Sequence, residues 1–254
     1  MKTAQLPQDF QPSPDCLKDK VILITGATGS FGKAMSKAYA ACGATIILLG
    51  KNIRLLENLY DEIEAAGSPT PAIYPLNLQG ATEKDYYDLS QTIENEFGRL
   101  DGILHTAAML GVPTPFEHSD AETWYQVMQV NLNGPYMLTK HCIPLLKKSP
   151  HASLVFMTDD KFGAYWDAYA ISKQGINGMM LTLSAEYEGS NLYVNCVNPG
   201  PSKTPIQLLA FPGSSGKNNA MPLANTHSDL FTYLMSNEMN LSGVCFTSDS
   251  TTMD

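Results

Sequence analysis

The sequence predicts an α/β fold: a doubly wound, seven-stranded parallel sheet with helices on both faces. Three observations carry that prediction. Short uninterrupted apolar runs recur along the chain, as in strands buried on both sides. Segments with helical apolar spacing separate those runs, so each strand returns through a crossover helix. A glycine-rich turn, Gly26 to Gly32, stands between the first run and the first helix.

Val21 to Ile24 is the first strand. Phe31 to Cys42 is helical, with Ala34, Met35, Ala38 and Tyr39 on one side and Gly43 as its stop. Thr45 to Leu49 is the second strand, and a helix from about Ile53 to Ala66 ends at Gly67. Ala72 to Leu76 is the third strand, and Thr82-x-x-Asp85 opens a helix to Phe97. Gly102 to His105 is the fourth. Ser119-x-x-Glu122 reads as the capping box of a long helix through Leu146, with Pro144 near its end. Ser153 to Met157 is the fifth strand; the next helix carries Tyr169 and Lys173, and Tyr193 to Val197 is the sixth strand. A last helix lies near Ser228 to Ser236, and Val244 to Phe246 is the seventh strand. Sheets of this kind hold ligands at the carboxyl ends of their strands.

A chain of 254 residues with no visible linker fits one domain, residues 19–254. Residues 1–18, rich in Pro and Asp, read as a flexible or draped tail. Residues 201–222 run apolar through Ile206, Leu208, Leu209 and Phe211 and then turn to Gly, Ser and Asn. After a strand end, such a segment is a candidate substrate lid; a surface loop is the plain alternative. A net charge of −9 argues against a nucleic-acid partner. No apolar run reaches 18 residues, so no membrane span is expected. The five cysteines (Cys16, Cys42, Cys142, Cys196, Cys245) and the histidines show no metal spacing, and no disulfide framework emerges. The expected compartment is a reducing cytoplasm.

Tyr169-Ala170-Ile171-Ser172-Lys173 puts a phenol and an ammonium on one helix face. A neighbouring cation draws a phenol pKa down from about 10, making Tyr169 a proton donor to a carbonyl that is receiving hydride. The spacing alone is common on helix surfaces. The glycine turn, Thr25-Gly26-Ala27-Thr28-Gly29-Ser30-Phe31-Gly32, lets backbone approach a pyrophosphate that meets the helix N-terminus. Gly26, Thr28, Ser30, Phe31 and Gly32 are therefore candidate cofactor contacts. After the second strand stand Gly50-Lys51-Asn52. No acid is present there to repel a phosphate, and Lys51 can pair with one, which favours NADP(H) over NAD(H) and makes Lys51 and Asn52 candidate cofactor contacts.

With these features the chain resembles the short-chain dehydrogenase/reductase superfamily, with its Rossmann-like fold, over nearly its whole length after residue 18. The runs Ile46 to Asn52, Leu104 to Gly111, Met128 to Thr139 and Asn195 to Gly200 resemble the small bacterial YciK-type oxidoreductases. The resemblance implies that Tyr169 is the acid/base and that Lys173 binds the nicotinamide ribose while lowering the tyrosine pKa. It implies that Asn131, in Val130-Asn131-Leu132-Asn133-Gly134, interrupts its helix and holds a water in a proton relay. Pro199, Gly200, Ser202 and Thr204 resemble the segment that receives the nicotinamide, Thr204 bonding its carboxamide. By the same resemblance Asn77 and Leu78 lie by the adenine, and Thr106, Ala107 and Ala108 lie under the cofactor. A homodimer or homotetramer, paired through the two helices that carry Asn131 and Tyr169, is also implied. Met179, Met180, Leu181 and Leu183 are apolar enough to support it.

The chain departs from the family pattern in four places. Ser30 stands where the turn usually has glycine, Asn77 replaces an Asp, and Thr106-Ala107-Ala108 replaces Asn-Ala-Gly. The substrate-orienting serine is the fourth. Its expected position is Phe156, inside a strand, and the best alignment falls in Thr158-Asp159-Asp160, on Asp159. A hydroxyl donates to a substrate carbonyl, whereas an ionised carboxylate only accepts. Three arrangements stay open: Thr158 supplies the hydroxyl, Asp159 is held protonated by burial, or the ordinary reaction is lost. The expected function is an NADP(H)-dependent oxidoreductase that interconverts an alcohol and a carbonyl by hydride transfer, acting on a small molecule. The alternatives are a non-catalytic NADP(H)-binding redox sensor or scaffold and, more weakly, dehydration or epimerisation with Asp159 as a base.

Overall fold

The computed structural model describes residues 1–161, 163–213 and 220–248. Its strands are β1 (Lys2–Ala4), β2 (Val21–Thr25), β3 (Thr45–Gly50), β4 (Ala72–Pro75), β5 (Gly102–His105), β6 (Ala152–Met157), β7 (Leu192–Asn198) and β8 (Val244–Thr247). They pair in parallel in the order β1-β8-β7-β6-β5-β2-β3-β4. Between them lie α1 (Ser30–Ala41), α2 (Ile53–Ala65), α3 (Glu83–Phe97), α4 (Ala121–Met128), α5 (Gly134–Leu146), α6 (Asp167–Glu186), α7 (Pro205–Ala210) and α8 (Ser228–Met235). No helix among the described residues is long and apolar enough to cross a membrane.

Strand alternation sorts the side chains into two cores. Ile22 and Ile24 of β2 face Met35, Tyr39, Leu59 and Phe231 of α1, α2 and α8. Val21 and Leu23 face the other way, onto Leu89, Ile93, Leu138 and Ile176 of α3, α5 and α6. Covering both faces is why the runs are continuously apolar. Met180 packs into this second core, Met179 and Leu183 lie partly against it, and Leu181 is left exposed.

The sheet has eight strands, not seven. The addition is β1, whose Lys2 sits opposite Val244 and supplies the pairing that the outer edge of β8 would otherwise lack. Its three residues are too few and too polar to form a readable apolar run. Beyond β1 the chain drapes over the α1/α8 face, burying Leu17 and stacking Phe10 edge-on against Tyr233 at 5.1 Å.

The long helix expected from Ser119 to Leu146 is divided into α4, a π-turn over Gln129–Asn133, and α5. Its cap is Asp120, whose carboxylate accepts from Thr123 N at 2.8 Å; the Ser119 hydroxyl instead donates to Asp167. The box opening α3 forms as expected, with Thr82 N donating to Asp85 at 2.7 Å. β2 and β5 are neighbours, but the chain winds outward from them in opposite directions. The loops leaving their carboxyl ends therefore frame a crevice, where sheets of this kind bind ligands.

Candidate functional site

A cavity of about 620 Å³ opens along that crevice, across the ends of β2 to β7. Its floor is set by glycine. Gly26 has φ +63°, and a Cβ there would lie 2.9 Å from Ala107 Cα. A Cβ on Gly32 would lie 2.1 Å from Gly26 O, so α1 meets the turn at a distance no other residue allows. α1 begins at Ser30 with no acidic side chain in its first turn, leaving the positive end of the helix unneutralised toward the cavity.

The turn is tied to the loop after β5. Thr106 Oγ1 donates to Thr25 O at 2.6 Å, and Ala107 N donates to Thr25 Oγ1 at 3.3 Å. Thr28, Phe31, Lys51, Asn77, Leu78 and Ala108 also border this end. Phe31 is buried, its ring against His227 and Phe231. Asn52 does not border the cavity; its side-chain Oδ1 accepts from Leu55 N at 3.2 Å and caps α2. Helix capping thus accounts for that residue, which the sequence placed among the cofactor contacts.

At the other end Tyr169, Lys173, Thr158 and Asp159 converge from α6 and the exit of β6. The Tyr169 hydroxyl donates to Asp159 Oδ2 at 3.0 Å. Asp159 Oδ1 accepts from Lys161 N at 3.1 Å, which fixes the carboxylate. Thr158 turns away from Tyr169, its hydroxyl donating to Asn177 Oδ1 at 2.8 Å. Lys173 Nζ donates to Met157 O at 2.9 Å and stands 5.6 Å from the centre of the Tyr169 ring.

The expected lowering of the tyrosine pKa is reversed. Burial, followed by the Asp159 carboxylate, pushes the Tyr169 phenol well above its ordinary range. Burial also lowers Lys173 to about 8, against the opposing pull of Asp159.

Asn131 lies within the π-turn that divides α4 from α5. Its carboxamide accepts from Met109 N at 2.7 Å and donates to Met109 O at 2.9 Å and to Ser172 Oγ at 3.0 Å. Ser172 Oγ in turn donates to Tyr169 O at 2.7 Å, so one buried side chain spaces the β5 loop from the helix that carries Tyr169.

Pro199, Gly200, Ser202 and Thr204 border the cavity beyond β7. Ser202 Oγ is hydrogen-bonded to His227 Nε2 at 3.2 Å, and Thr204 Oγ1 caps α7 by accepting from Gln207 N at 3.2 Å. Ile206, Gln207 and Leu209 of α7 close one side; residues 214–219 of the expected lid lie outside the described residues. Lys161 is a lining residue that the sequence reading missed; it pairs with Asp160 at 3.8 Å. Its signal was present, a cation directly after two acids at a strand exit.

Comparison with known proteins gives the chain's relatives. The short chain dehydrogenase family model matches residues 20–212. The uncharacterized oxidoreductase YciK of Escherichia coli K12 is 41% identical over 207 residues, 80% of this chain and 81% of that protein. A short chain dehydrogenase from Salmonella enterica serovar Typhi has a TM-score of 0.91 at 36% identity, covering 94% of this chain and 99% of that one. An Escherichia coli CFT073 protein assigned to the short chain dehydrogenases, solved with NADPH, has a TM-score of 0.89 at 37% identity. It covers 93% of this chain and 99% of its own.

Proposed function

We propose that this chain, which belongs to the short-chain dehydrogenase family, is an NADP(H)-dependent oxidoreductase interconverting a small-molecule alcohol and a carbonyl. The observation that carries the reading is one cavity with a glycine cradle and Lys51 at one end and Tyr169 with Lys173 at the other.

The residues present fit the cofactor. The bare backbone of Gly26 and Gly32 and the acid-free start of α1 suit a pyrophosphate. Lys51, with no carboxylate in Gly50-Lys51-Asn52, suits the extra phosphate of NADP(H). Lys173 would hold the nicotinamide ribose, and Pro199, Gly200 and Thr204, which line the same cavity, would receive the ring. When bound, the nicotinamide supplies or accepts the hydride.

Tyr169 moves the proton. Its phenol stays protonated and points its O–H at Asp159 Oδ2, which can only accept. This pair suits a substrate that gives up a proton. As a substrate hydroxyl donates to Tyr169 Oη, Tyr169 passes its own proton to Asp159 Oδ2, while hydride leaves the carbinol carbon. Alcohol oxidation is therefore the direction the site favours. Asn131 acts as a positioning residue, α7 serves as part of the substrate lid, and the protein works in a reducing cytoplasm. The exposed Tyr125, Tyr136, Ile171 and Leu181 on α4, α5 and α6 mark the pairing face of a homodimer or homotetramer, which sedimentation velocity tests.

A second reading rests on the same carboxylate: with no hydroxyl donor beside Tyr169, the protein binds NADP(H) without turning it over. Following 340 nm absorbance with NADP⁺ and a panel of secondary alcohols separates the two. The first reading expects NADPH formation, reduced by about 100-fold or more in Tyr169→Phe. No turnover in the wild type, with carbonyl reduction gained in Asp159→Ser, selects the second.

A further inference from the structure

Two cysteines lie near one another on the side of the domain away from the cavity mouth. Cys16, in the segment entering β2, and Cys42, the residue after α1, are each partly exposed. The backbones around them are locked together. Leu17 N donates to Cys42 O at 3.0 Å, and Thr45 N donates to Lys20 O at 2.8 Å. Gly43 permits that approach, since a Cβ there would lie 3.1 Å from Lys18 Cα. The other three cysteines are buried, including Cys196 and Cys245, which sit opposite one another on β7 and β8.

We propose that Cys16 and Cys42 form a redox modification site, a dithiol that a small hydroperoxide oxidises to an intramolecular disulfide. One thiolate of the pair attacks one peroxide oxygen and releases the other as water or an alcohol, leaving a sulfenic acid. The second thiol then displaces the sulfenic oxygen as water and closes the S–S bond. Two thiols and one peroxide are thus consumed, the sulfurs losing the two electrons that the peroxide gains. Burial raises both thiols, Cys42 up to about 12. The high thiol pKa values make the reaction slow at neutral pH and faster in mild alkali.

The closed ring runs from residue 16 to residue 42 and so contains β2, the glycine turn and α1, the whole unit that frames the cofactor end of the cavity. The bond staples the draped N-terminal segment to the domain. This inference stands independently of NADP(H) binding.

The test treats the full chain with hydrogen peroxide, blocks remaining thiols with N-ethylmaleimide in denaturant, and maps tryptic peptides by mass spectrometry. The expected result is a fall from five blocked cysteines to three, with residues 3–18 linked to residues 38–51. Cys16→Ser abolishes that link. The oxidised wild type melts about 5 °C or more above the reduced protein, as closing a loop of this size predicts. Five blocked cysteines after oxidation, a Cys196–Cys245 link, or links between chains overturn the proposal. A Cys16–Cys42 link that leaves the melting temperature unchanged overturns its role as a staple.

Discussion

Asp159 changes what Tyr169 can do. A serine beside the phenol would leave its proton available to a substrate carbonyl, whereas the carboxylate turns that proton toward itself at 3.0 Å. Lys173 has a separate signature. Its buried ammonium has been lowered to about 8, so its charge is complete below that pH and lost above it. NADPH affinity should accordingly be flat below about pH 7, begin to fall as pH rises through about 8, and be weaker by about tenfold or more at pH 9.5, since a charge-assisted hydrogen bond is lost. Fluorescence titration checks this, and Lys173→Met should bind weakly with no such slope. At this scale the sequence was informative about residue identity and poor on partners. Tyr169, Lys173, Asn131 and Lys51 all reached the cavity or its immediate support, but Thr158 turned to Asn177 and Asn52 became a helix cap. A hydroxyl or an amide at a strand exit has several equally close acceptors, and only the folded backbone selects one.

The glycine turn and the π-turn are the elements that shape the site. Gly32→Ala would press a methyl group onto Gly26 O, so the turn must open and α1 must move. The variant should lose NADPH binding and melt several degrees lower; unchanged binding would show that the cradle is not where the cofactor sits. The apolar runs made seven strands legible because burial on both faces leaves each run continuous. Cap choice was less legible. Ser119 and Asp120 are adjacent, both are good N-cap residues, and the pull of Asp167 on Ser119 is a tertiary effect. The π-turn has no local composition signal, since Gln129–Asn133 carries on the helical pattern of its neighbours. Its position came from the resemblance, not from periodicity.

Over the whole molecule, the draped N-terminal segment is the feature that pattern reading understated. Phe10 and Leu17 enter the core beneath α1 and α8, although the stretch around them is polar and rich in proline. Leu17→Ala should cost about 2–5 kcal/mol, the range for truncating a fully buried leucine. Denaturant unfolding checks this, and a loss below about 1 kcal/mol would mean that the segment is not part of the core. Leu6, Phe10 and Leu17 are unevenly spaced among polar residues and prolines and show no period, so the drape had no one-dimensional signature.

The central claim is that the cavity binds NADP(H) and that Lys51 selects it over NAD(H). Titrating the purified protein with NADPH and with NADH, in the wild type and in Lys51→Ala, tests it most directly. We predict that NADPH binds about tenfold or more tightly than NADH and that Lys51→Ala removes most of that difference. Equal or tighter NADH binding in the wild type, or no binding of either nucleotide at millimolar concentration, would contradict the account.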